Sequence, residues 1–149
     1  MIHFNGKSQV LRSLKRNIKK TVLKIISDHK KELIDLGYVF VDDEELRKIN
    51  IESLDHDYYT DIITFDYGSD NHIEGEIYIS LDRVKDNAEK FKQTFHVELL
   101  RVIFHGALHL VGYQDKTKSQ KEKMRKMEDL YIKEHLKHVP RGTRGYANV

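Results

Sequence analysis

The chain has 149 residues, of which 34% are charged and 39% hydrophobic, with a formal net charge of +2 at pH 7. That length closes one hydrophobic core without staples, so a single domain over residues 1–149 is expected. There is no cysteine, which excludes disulfide partners, thiolate ligands and cysteine nucleophiles and leaves His, Asp and Glu for any transition-metal site.

The small net charge conceals a partition. Residues 1–31 carry nine Lys or Arg against Asp28 alone, residues 42–89 carry fifteen Asp or Glu, and residues 90–149 carry thirteen Lys or Arg against six acids. Basic ends around an acidic middle create local fields that favour a polyanion. The first residues lead into a charged helix pattern instead of a signal-peptide run, and nothing nears the roughly 18 apolar residues of a membrane span. A cytoplasmic protein with no membrane partner is expected.

Residues 1–4 read as a short strand. Ser8 is the expected cap of a first helix, in which Leu11, Leu14, Ile18, Val22 and Ile25 recur at helical spacing. Lys15, Arg16, Lys19 and Lys20 lie opposite, so the helix is basic and amphipathic; it is expected to run toward Leu36 and to stop at Gly37. Its basic face admits three readings: a solvated surface, a nucleic-acid or ribosome-facing surface, or a membrane-surface contact.

Residues 38–41 look like a strand, followed by a helix over residues 44–51 capped by Asp42 or Asp43. Residues 60–67, rich in β-branched and aromatic side chains, are the most strand-like segment, and residues 76–80 are another strand after the turn at 68–72. Asp82 or Asn87 begins a further helix. Residues 96–111 form a long helix, apolar almost all round and therefore buried. The last helix spans about residues 119–135, with Met124, Met127, Leu130 and Tyr131 as its inner stripe. A polar, basic tail from residue 138 to 149 is expected to stay mobile.

Residues 105–115 read HGALHLVGYQD. Residues four apart on a helix share a face, so His105 and His109 aim at one point, and a helix end at Gly112 lets the chain return Asp115 beside them. Three ligands with one open position is a catalytic zinc pattern, in which water becomes a nucleophile toward a phosphodiester or a carbonyl. A His pair alone is a permissive motif, so satisfied structural histidines and a metal-free acid–base pair stay open at this point. Gly106 stands where the zincin motif requires Glu, so any base comes from elsewhere. Glu128 on the next helix is a candidate, and Arg101, one turn before His105, is a candidate phosphate ligand or the partner of an acid such as Glu98. The other seven histidines read as surface residues, with His56 the one possible exception.

Residues 105–113 match H-G-x-L-H-L-x-G-Y at every fixed position, and in this the chain resembles the YbeY-type family of metal-dependent endoribonucleases, the rRNA maturation factors. Asn50, residues 60–65 and residues 75–80 resemble that family's asparagine and its T-D-V-L-S-F and G-D-I-x-I-S strands. The resemblance implies an α/β (α+β) fold, one compact domain with a small mixed sheet and metal-binding histidines on a buried central helix. It implies a zinc-dependent, single-strand endoribonuclease that acts on the 3′ end of small-subunit RNA and in ribosome quality control, with ribosomal RNA and the small ribosomal subunit as partners. One Zn²⁺ per chain would be held by His105, His109 and Asp115. Two departures stand out: Gln114 and Asp115 replace the family's aspartate and third histidine, and Leu54 stands where the family carries an arginine. Arg101 or the basic residues Lys15, Arg16, Lys19 and Lys20 are the candidates to meet RNA in its place. Two other functions stay open: a ribosome-associated binding protein with a structural metal, and a metal hydrolase of another substrate.

Overall fold

The computed structural model describes residues 1–139. Four strands form one sheet in the order β1-β2-β4-β3, where β1 is Ile2–Gly6, β2 Glu32–Val41, β3 Ile62–Asp66 and β4 His72–Ser80. β1 and β2 are parallel, as are β2 and β4, while β3 runs antiparallel to β4 at one edge. The sheet is therefore mixed, and the parallel pairs demand helical crossovers. Among the described residues five α-helices accompany it: α1 Lys15–Asp28, α2 Asp43–Leu54, α3 Leu81–Lys90, α4 Phe95–Leu110 and α5 Lys118–His138.

Strand periodicity splits the core. Leu36, Tyr38 and Phe40 of β2 and Ile73, Ile77 and Ile79 of β4 face the main cluster under α1, α4 and α5. The alternate residues Val39, Val41 and Tyr78 join Ile63, Leu46 and Ile49 in a smaller cluster under α2. α4 lies at the centre of the main cluster, with Leu99, Leu100, Ile103, Phe104 and Leu108 essentially inaccessible. Gly106 lets it press on the sheet, because a Cβ there would stand 2.8 Å from Ile77 Cδ1. Thr94 caps its N-terminus through the Val97 amide, and a capping box built on Thr117 and Gln120 starts α5.

Several expectations are corrected. The first helix is preceded by a 3-10 stretch, Ser8–Leu14, in which Ser8 caps nothing and accepts instead from Lys15 Nζ. α1 ends at Asp28, and residues 32–36, read as helix, are strand because Glu32, Leu33, Asp35 and Leu36 pair with β4 and Leu36 also with β1. Tertiary pairing overrides the local pattern. Gly37 lies inside β2 and makes room for the His3 ring, which a Cβ would approach to 2.8 Å. Leu130 is 46% exposed, so it is not part of the inner stripe of α5, whereas Glu128 is buried. His96 and His135 are core residues, not surface ones. Among the described residues no helix is long and apolar enough to cross a membrane. The tail beyond residue 139 lies outside the described residues.

Candidate metal centre

α4 carries His105 and His109 on its one open face; the rings stack with centroids 6.1 Å apart. The helix is buried, but His105 is only partly so and His109 is exposed. Asp115 returns after Gly112, whose φ of 118° suits glycine, and its carboxylate lies 3.3 Å from His105 Nε2. Among the described residues no group of three or more His, Asp or Glu side chains is placed to hold an ion as it stands. The expected three-ligand cluster is thus not preformed, and the direct His105–Asp115 pair takes its place.

The partners of the two imidazoles fix their chemistry. His109 Nδ1 lies 2.8 Å from the Tyr113 carbonyl, and a carbonyl only accepts, so Nδ1 donates. His105 Nδ1 donates to Glu128 Oε2 at 2.7 Å. Glu128 Oε1 accepts from Arg101 Nη1 at 2.9 Å, and Arg101 Nη2 donates to Asp129 at 2.7 Å. A relay therefore runs from Asp129 through Arg101 and Glu128 to His105. Burial works against the charged form of His105, but Glu128, Asp115 and Asp61 outweigh it and hold its pKa above the ordinary imidazole value.

These groups line a cleft of about 740 Å³. Glu128 and Arg101 both reach it, with Arg101 paired to Glu128 and Asp129 and not to Glu98. Lys15, Arg16, Lys19 and Lys20 are not among its walls; Lys19 instead sits over the Phe4 ring and Lys15 is turned to Ser8. Leu54 is 43% exposed at the end of α2. Lys121, Arg125, Asp61 and Asn87 join the walls without having been singled out by sequence. The spacing of Lys121, Arg125 and Glu128 on one face of α5 is the signal that identifies the first two. Tyr113 also shares a hydrogen bond with His29 Nε2 over 2.9 Å and supplies the carbonyl that orients His109.

A family model described as "Endoribonuclease YbeY" matches residues 2–136. The Endoribonuclease YbeY of Flavobacterium johnsoniae is 43% identical over 129 residues, covering 87% of this chain and 93% of the relative. That of Cytophaga hutchinsonii is 53% identical over 106 residues, covering 70% and 74%. The solution structure of TM1509 from Thermotoga maritima has a TM-score of 0.68 at 31% identity, covering 91% of this chain and 89% of that one. With matches of this extent, the chain belongs to the endoribonuclease YbeY family.

Proposed function

We propose that residues 1–149 act as one YbeY-like domain that cleaves single-stranded RNA at a zinc site made by His105, His109 and Asp115, one ion per chain. Endoribonuclease activity in rRNA maturation and ribosome quality control follows from the family to which the chain belongs. The finer reading names the small-subunit RNA 3′ end as substrate, the small ribosomal subunit as partner and the cytoplasm as setting.

One observation carries the metal assignment: the Nδ1 atoms of both histidines are engaged by oxygen acceptors, Glu128 for His105 and the Tyr113 carbonyl for His109. With Nδ1 so engaged, each neutral ring would offer Nε2 to a metal, in the manner of metal-bound imidazoles supported by outer oxygen partners. Asp115, already beside His105 Nε2, supplies an oxygen of the kind zinc accepts. When bound, zinc supplies Lewis acidity toward water and phosphoryl oxygen.

The remaining residues position and screen. Glu128 fixes the His105 ring and tautomer and raises its basicity. Arg101 holds Glu128 in place through its Nη1 hydrogen bond and acts on His105 through it. Lys121 and Arg125, at the cleft wall, supply positive charge for the RNA backbone. The test is cleavage of a single-stranded RNA carrying the small-subunit 3′ precursor end by the zinc-loaded chain and by His109→Ala.

A further inference from the structure

The cleft extends beyond the His105–Asp115 pair to a second group of polar residues. Glu98 lies seven residues before His105 on α4, about 10 Å along the helix axis. It is 4% exposed, lines the cleft, and among the described residues its carboxylate has neither a hydrogen bond nor a salt bridge. Arg101 and Arg125 act on it only at longer range, and burial raises its pKa. Asp61 stands in the same cleft and receives Asn87 Nδ2 at 3.4 Å, which leaves the Asn87 carbonyl oxygen as a further acceptor. Arg101 Nε is buried there without a partner. Phe91, 50% exposed, lines the same space.

A carboxyl that faces a cleft with no protein partner is free to accept from a ligand. The wall is rich in acceptors, so it calls for a ligand rich in donors. At the Glu98 carboxyl a metal cation is disfavoured by the charges of Arg101 and Arg125, which act on it. Among RNA bases, guanine alone offers two adjacent donors, N1–H and the N2 amino group, which one carboxylate accepts side by side. Adenine and cytosine present an amino group beside an acceptor, and uracil a single N–H between two carbonyls. Unstacked bases are read in this way, by hydrogen bonds to the Watson–Crick edge and stacking on an aromatic ring.

We propose that Glu98, with Asp61 and Asn87, forms a subsite for the Watson–Crick edge of an unpaired guanine, with Phe91 as the stacking surface. The subsite rests on the endoribonuclease reading and adds to it a base preference centred on Glu98, two helical turns before His105.

The test titrates the zinc-loaded full chain with GMP, IMP, AMP and UMP, followed by amide chemical shifts. The four share one phosphate and ribose, and none is a substrate for internal cleavage, so recognition is read apart from catalysis. GMP is expected to bind about fivefold or more tighter than the other three, IMP included because it lacks the N2 amino group. Glu98→Gln should bring GMP to the level of AMP while leaving AMP unchanged. Asp61→Asn, which weakens the same acceptor wall, decides the matter if the first variant does not fold. Equal affinities, no binding, or a guanine preference that survives both substitutions would overturn the subsite. A guanine preference without RNA cleavage would instead contradict the endoribonuclease reading alone.

Discussion

Glu128 Oε2 accepts the Nδ1 proton of His105 at 2.7 Å while its other oxygen holds Arg101 at 2.9 Å. One buried carboxylate thus orients an imidazole and neutralises a guanidinium, which couples α5 to the open face of α4.

Removing the Glu128 charge should therefore weaken zinc binding without touching a ligand. Glu128→Gln keeps the shape but is a poorer acceptor, and a loss of about 10–100-fold in zinc affinity is expected. Chelator competition measures it. Unchanged affinity would show that Glu128 is structural.

Lys121 and Arg125 line the cleft, whereas the basic residues of α1 are not among its walls. Each phosphate contact to single-stranded RNA contributes about 0.7 to the slope of log affinity against log salt. Replacing Lys121 and Arg125 by Ala should lower that slope more than replacing Lys19 and Lys20. The reverse order, read by fluorescence anisotropy across salt concentrations, would move the RNA path to α1.

His135 is 2% exposed, with Nδ1 2.9 Å from Thr21 Oγ1 and Nε2 unpartnered. Burial, with the nearby His96 and His138 charges, lowers its pKa to about 4. Above the unfolded value of about 6.5 the group is neutral in both states. Between there and about 4 the unfolded chain takes a proton that the fold refuses, so stability falls as pH falls, by up to about 3 kcal/mol. His96, also lowered by burial, acts in the same sense. His135→Gln should lose less stability than wild type between pH 7 and pH 4 in denaturant unfolding; parallel curves would contradict this.

The elements legible in sequence were those whose pattern agreed with their tertiary role. α4 is apolar nearly all round and buried, and the β-branched run before Tyr67 is β3. Residues 32–36 were misread because their apolar spacing suits a helix, while the hydrogen bonds that make them strand come from β1 and β4, distant in sequence. The return of Asp115 to His105 was legible through their spacing, whereas the expected three-ligand cluster is not preformed among the described residues. Glu128 was legible only as a candidate, since nothing local says that α5 turns it toward His105. Asp61, Asn87 and Glu98 were not recognised as one wall because Asn87 lies on α3, Glu98 on α4 and Asp61 just before β3, and only their packing brings them to one cleft.

The central claim is that the His105–His109 face carries zinc-dependent RNA cleavage. Its most direct test compares zinc-loaded wild type with His109→Ala, purified identically, on a single-stranded RNA bearing the small-subunit 3′ precursor end. Cleavage by wild type that is abolished in His109→Ala and by chelation is the predicted result. Equal cleavage by both, or none by either, would contradict it and shift the function to ribosome binding.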